Sequence, residues 1–187
     1  MRRFAFAVLL CAFGGVLSSC STKTTSTSAT TTTTIAVTTT LPQEQEEFEK
    51  IGVEFIRKDG TTCQICVKIA NTAAKRGVGL AGKDPLKGVD GMLFYSGEPM
   101  TGEFWMKDVS TPLDIHFYTL KGLPLNTERA VPCSAKTDSE CERYKAAAPY
   151  GYALEVLPAT TKKFNLTGAT LSSILERCPL AEGAAKP

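Results

Sequence analysis

A second histidine is missing from this 187-residue chain, and so is a second tryptophan. With His116 alone, the usual zinc sets built on two or three imidazoles are excluded, and no metal or cofactor is expected. Net charge is nearly absent as well. The formal +2 comes from Arg2 and Arg3, and from Cys20 onward basic and acidic residues balance. No nucleic-acid partner is therefore expected, because a strongly basic surface is the footprint of such proteins. Absent too are Gly-x-Ser-x-Gly, His-Glu-x-x-His and a phosphate-cradling glycine loop, which weakens the common hydrolase and nucleotide-binding readings. Gly77 and Gly79 follow a helix cap and do not make a dinucleotide fingerprint. No apolar run reaches the roughly 20 residues that a membrane-spanning helix needs.

The longest apolar run, Phe4 to Leu17, follows Arg2 and Arg3 and suits the core of a secretion signal. It closes on Leu17-Ser18-Ser19-Cys20, which resembles a bacterial lipobox. That resemblance implies cleavage before Cys20 and lipidation of its thiol, so residues 1–19 are expected to be a signal peptide and the mature protein a peripheral, acyl-anchored one. From Thr22 to Thr40, 12 of 19 residues are Thr. Such a segment buries too little apolar surface to offset its conformational entropy, so residues 20–47 are expected to be a lipidated, flexible tether. The expected location is the extracytoplasmic face of a bacterial envelope, with the membrane as a partner through the anchor. One globular domain is expected over 48–180, followed by a disordered tail over 181–187.

The domain reads as short strands with few helices. Cys63, Ile65, Val67 and Ile69 alternate with Gln64, Cys66 and Lys68, the period of a half-buried strand. Thr72 offers an N-cap for a short helix over 73–76. Met92 to Tyr95 and Phe104 to Met106 are expected to be strands. Leu113, Ile115 and Phe117 alternate with Asp114, His116 and Tyr118, and after Lys121-Gly122 a partner strand near Leu125 to Ala130 completes a hairpin. A further strand is expected over 152–156 and a short helix from Leu171 to Arg177. The fold class expected is α+β and mainly antiparallel β, a small barrel-like sheet with two or three short helices.

Five cysteines fall within the domain: Cys63, Cys66, Cys133, Cys141 and Cys178. Cys63-x-x-Cys66 invites a thiol-exchange reading, but in a strand residues three apart face opposite ways at about 10 Å, too far for a disulfide. Nor does a helix start follow Cys66 to activate a thiol. Cys133 and Cys141 flank a polar loop and are the first pair to join in an oxidising compartment. Cys178 is left with either Cys63 or Cys66.

Gly91-Met92-Leu93-Phe94, then Phe104-Trp105-Met106-Lys107-Asp108, then Thr111-Pro112-Leu113-Asp114-Ile115-His116-Phe117 together resemble the domain-of-unknown-function family 192. Arg76-Gly77-Val78-Gly79-Leu80, Val131-Pro132-Cys133 and Tyr152 to Ala159 extend the resemblance across about Ile65 to Thr170. It implies a compact, mainly antiparallel β fold with short helices and implies no activity. This chain departs from the family in Asp108, where Asn is usual, in His116, where an aliphatic residue is usual, and in an inserted Val156 with Thr160 in place of Gly. The loop bracketed by Cys133 and Cys141 is also its own.

Phe94, Phe104, Trp105 and Met106 serve most simply as core. Trp105 alternates with its neighbours, however, so one face of that segment is available as the floor of a shallow groove. Lys107, Asp108 and Asp114 suit an ion pair at a Pro-bearing turn, or a grip on a polar ligand. Asp114, His116 and Tyr118 are expected on a solvated strand face. The candidate ligand-binding residues are thus Trp105, Lys107, Asp114 and Glu155. Three functions follow as expectations: a non-catalytic binding or accessory module for cell-wall glycan or an envelope protein; an envelope glycan or peptide hydrolase or lyase using Asp114 and Glu155, whose separation would decide the chemistry; and thiol exchange through Cys63 and Cys66.

Overall fold

The computed structural model describes residues 47–82 and 86–179. The expected signal, the lipidation at Cys20, the tether up to residue 46 and the 181–187 tail lie outside these residues. One seven-stranded sheet organises the domain, in the spatial order β5-β4-β6-β3-β2-β1-β7. Its strands are β1 (Lys50–Ile56), β2 (Thr62–Ala70), β3 (Gly91–Met100), β4 (Leu113–Tyr118), β5 (Pro124–Ala130), β6 (Tyr150–Val156) and β7 (Thr170–Leu175). Two short helices, α1 (Ala73–Val78) and α2 (Pro158–Phe164), accompany it.

Every pairing is antiparallel except β2 with β3, which runs parallel from Val67 opposite Gly91 to Ala70 opposite Phe94. Parallel neighbours need a crossover rather than a hairpin, and α1 with its following loop supplies it. Thr72 caps α1 as its sequence suggests, its hydroxyl accepting from Lys75 N at 3.2 Å. Asp90 fixes the end of the crossover: its carboxylate accepts from Cys66 N at 2.9 Å and its own N–H donates to Cys66 O at 2.7 Å.

Alternation along the central strands feeds two cores. Val53, Phe55, Ile65, Val67, Leu93, Leu154 and Val156 pack on one side, with Tyr118, Leu166 and Leu171. Met92, Phe94, Met106, Leu113, Ile115, Phe117, Tyr150 and Ala153 pack on the other. Central strands are consequently covered on both faces, and β4 is buried along its whole length.

Four expectations need correction. Phe104 to Met106 is not a strand: Phe104 makes one isolated bridge to Tyr144 and Lys107 another to Cys133. Leu171 to Arg177 is not a helix, because β7 pairs with β1 instead. Asp114, His116 and Tyr118 do not face solvent but are buried. Strand pairing does not close the sheet into a barrel: β5 and β7 stand at its two edges. A single backbone bond, Leu171 N to Gly122 O at 2.9 Å, links β7 to the turn after β4. Gly122 has φ 75°, and a Cβ there would collide with Leu171 O, so the turn requires glycine.

Disulfides join Cys133 to Cys141 and Cys66 to Cys178. Cys63 is a buried free thiol on the opposite face of β2, and Cys66 is already bonded to Cys178, so the pair that a thiol-exchange site needs does not form.

Candidate functional site

A cleft of about 530 Å³ opens beside the second core, between the end of α1, the start of the 104–109 segment and the β3–β6 pair. α1 ends at Gly79, whose N–H donates to Lys75 O at 2.9 Å, and Arg76 on its last turn reaches across to donate to Tyr95 O at 2.9 Å. The walls are aromatic. Phe94 meets Phe104 edge-on at 5.0 Å between ring centroids, and Phe104 contacts Tyr150 at 6.2 Å. Tyr150 is held by its hydroxyl, which donates to Gly102 O at 3.1 Å.

Glu155 lines this cleft from β6. Its register partners are Met92 on β3 and Ile115 on β4, both buried, so the carboxyl rises from an apolar floor. The residue is 5% exposed, and among the described residues its carboxyl has no hydrogen-bond or ion-pair partner. Burial pushes its pKa from the ordinary 4.5 up to about 8. A carboxyl that is neutral at pH 7 and unpartnered in a cleft is able to donate a hydrogen bond, exchange a proton, or ionise against an incoming cation.

Trp105 stands at the rim, 44% exposed, with the Arg143 guanidinium 4.4 Å from its ring centroid. It is not core. Lys107 lines the cleft but points its ammonium at the Cys133–Cys141 loop, donating to the carbonyls of Ala135 and Lys136. It pairs with neither Asp108 nor Asp114. The disulfide loop thereby becomes a fixed wall, with Asp138 facing the cleft.

Asp114 belongs to another place. It lies opposite Val156, whereas Glu155 lies opposite Ile115, so the two carboxylates point to opposite faces of the sheet. Arg129 of β5 donates to Asp114 through Nε, and the pair borders a second, more open concavity with Thr161 and Lys162. Beside it His116 is buried, its Nδ1 3.0 Å from Thr127 Oγ1 and its Nε2 3.0 Å from Thr161 Oγ1. Burial lowers its pKa from 6.5 to about 4 against the opposing pull of Asp114, leaving a neutral imidazole. Arg129 and α2 cover a face that strand alternation alone assigns to solvent.

Trp105, Lys107 and Glu155 therefore share one cleft and Asp114 does not. Asp108, weighed in the sequence as a grip on a polar ligand, also lines it, as do Arg76 and Tyr150, which residue chemistry alone does not single out. Arg76 and Asp108 sit inside the family motif blocks, which is their signal in the sequence; Tyr150 precedes its block and carries none. Among the described residues no group of three or more His, Cys, Asp or Glu side chains is placed to hold a metal ion.

A solved structure from Sinorhizobium meliloti 1021, of a candidate transcription regulator, is similar at 28% identity and a TM-score of 0.57, covering 67% of this chain and 95% of that one. Another, of a protein of unknown function from Novosphingobium aromaticivorans DSM 12444, shares the fold at 23% identity and a TM-score of 0.57, covering 70% and 89%. No curated protein matches the chain. The profile of DUF192, a family described as an uncharacterized ACR, matches residues 54–172, from within β1 to within β7. That span takes in every residue lining the cleft, and the chain belongs to the DUF192 family.

Proposed function

We propose that this protein is a non-catalytic ligand-binding module displayed at the bacterial cell envelope, and that its site is the cleft of Trp105 and Glu155. The observation carrying this reading is the Glu155 carboxyl, buried and unpartnered on the floor of a cleft whose volume suits a small molecule. The carboxyl is largely withdrawn from water and has no protein partner among the described residues, so a ligand group that meets it returns part of that desolvation cost on binding. Extracytoplasmic placement is supported by the two disulfides and by the signal and lipobox pattern ending at Cys20. Envelope glycan and envelope peptides remain the natural sources of ligand for a module on such a tether.

The paired-carboxylate hydrolase reading has no geometric support, since Asp114 and Glu155 face opposite sides of the sheet. The regulator description belongs to the Sinorhizobium protein. Acidic residues outnumber basic ones along the cleft here, which is the wrong sign for nucleic acid.

The test is a thermal-shift screen of the purified protein against neutral sugars, amines, carboxylates and short peptides. At least one class is expected to raise the melting temperature, and Trp105→Ala with Glu155→Gln should abolish the shift. Hits that all survive both substitutions, or a panel without hits, overturn the assignment of the site.

A further inference from the structure

We propose that the cleft takes a small organic cation, an alkylammonium or alkylguanidinium group, whose charge is met by Glu155 and whose carbon chain lies against Phe94, Phe104 and Tyr150. This deepens the ligand-binding reading above and rests on it. Three observations separate a cation from a neutral or anionic ligand.

The first is the balance of charges that remain uncommitted. Glu103, Asp108, Asp138 and Glu155 line the cleft against Arg76 and Lys107. Lys107 keeps its charge while its ammonium is held on two loop carbonyls, and Glu103 is paired with Lys145 at 2.7 Å. Among the described residues the carboxylates of Asp108 and Asp138 have no side-chain partner, and they balance the two cations Arg76 and Lys107, so ionised Glu155 gives the cleft one negative charge that an entering cation meets and an entering anion does not.

The second is the wall. Aromatic ring faces carry negative charge and attract a cation, while ring edges repel it. Trp105 already binds Arg143 in this way at the rim, with the guanidinium 4.4 Å from the ring centroid. The third is Glu155 itself, nine-tenths and more buried, aimed into the cleft and without a protein donor among the described residues. Burial keeps the carboxyl protonated while no cation is in contact with it. A bound cation stabilises the carboxylate, so Glu155 gives its proton to solvent as the ion pair forms, and the site gains no net charge beyond that of the ligand less one proton. The other titratable groups facing the cleft are Arg76, Glu103, Lys107, Asp108, Asp138 and Tyr150.

Trp105 is the only tryptophan of the chain and stands at the rim, so its fluorescence reports occupancy directly. The experiment titrates n-butylammonium and n-butylguanidinium chlorides into the protein at pH 7 and fixed ionic strength, beside 1-butanol, sodium butyrate and methyl glucoside. The cations are expected to give a saturable change at concentrations about tenfold lower than any other probe, with release of about one proton per cation bound. Glu155→Gln should weaken the cations by about tenfold or more and abolish the proton release, with its circular dichroism unchanged. Should Glu155→Gln fail to fold, Phe104→Leu serves as a second variant, expected to weaken the cations more than butanol.

A saturable response to butanol, butyrate or the glucoside that equals or exceeds the cations overturns the cation assignment and leaves the cleft a ligand site. Cation binding without proton release, or undiminished in Glu155→Gln, overturns the role given to Glu155. Silence from every probe overturns the cation assignment, and with a hitless thermal-shift panel it overturns the binding module too.

Discussion

Asp108 shows how a single residue is fixed by backbone geometry before any chemistry is asked of it. It sits at φ 59°, in the left-handed region, and its carbonyl accepts from Gly82 N at 3.1 Å, tying the cleft's rim to the segment after α1. Asp and Asn are the side chains that tolerate this region best after glycine, because a short polar group is able to hydrogen-bond locally. The family's usual Asn and this chain's Asp therefore satisfy one conformational demand, and the change between them alters charge rather than fold. Replacing Asp108 with Asn is expected to leave the unfolding midpoint nearly unchanged. A β-branched residue there, as in Asp108→Val, should cost about 1–2 kcal/mol, measured by urea denaturation. Equal stability of the Val and Asn variants would show that the strain does not reside at this position.

At the scale of elements, legibility follows from how much of the answer is local. The β4–β5 hairpin and the capped start of α1 rest on alternation, turn residues and one hydroxyl cap, all of which a sequence displays. β7 is ambiguous in sequence because Leu171-Ser172-Ser173-Ile174-Leu175 fits a helical stripe as well as a strand, and the choice is made by β1. Ser172 and Ser173 donate to Glu54 Oε1 from across that pair, contacts invisible without the partner. The buried face of β4 is hidden for the same reason: nothing in Leu113 to Tyr118 announces that α2 and Arg129 lie over it. Of the site, Trp105, Lys107 and Glu155 are legible as motif residues, but their convergence depends on the β3–β6 register, which sequence alone does not display.

The two disulfides differ in the same local and non-local sense. Cys133–Cys141 spans 8 residues and Cys66–Cys178 spans 112. On chain-entropy grounds the longer loop should contribute about 2 kcal/mol more to stability. Denaturant unfolding of Cys66→Ala with Cys178→Ala is expected to show the larger loss, together with early exchange of β7 amide protons. Cys133→Ala with Cys141→Ala should loosen the Lys107 wall while leaving β7 protected. A smaller loss from the long loop than from the short one would contradict the entropic account for this fold.

Over the whole molecule, two buried ionisable groups on opposite faces of one sheet set opposing demands on pH. His116 is neutral in the fold, its pKa lowered from 6.5 to about 4 chiefly by burial. Its contribution is complete above pH 6.5 and is lost as pH falls through about 4, because the unfolded chain binds the proton first. Glu155 is neutral in the fold for the converse reason, its pKa raised from 4.5 to about 8. Its contribution is complete below pH 4.5 and is lost as pH rises through about 8, because the folded chain then holds the extra proton. A tenfold change in proton affinity corresponds to about 1.4 kcal/mol, so the two limbs amount to roughly 3 and 5 kcal/mol at most. Between pH 4.5 and 6.5 the slopes oppose and nearly cancel, whereas above 6.5 only that of Glu155 acts. The protein is therefore expected to be most stable in mildly acidic solution and to lose stability steadily from about pH 6.5 to 8. Urea midpoints measured at half-unit steps from about pH 4 to 9 test this. Glu155→Gln should flatten the alkaline limb, and His116→Leu should flatten the acid limb even if the unpaired hydroxyls of Thr127 and Thr161 lower the whole curve. A wild-type midpoint that rises from pH 6.5 to 8, or an alkaline decline that persists in Glu155→Gln, would mean that the carboxyl has found a partner or water and is ionised in the fold. The empty cleft would then already hold its negative charge, and cation binding would proceed without releasing a proton.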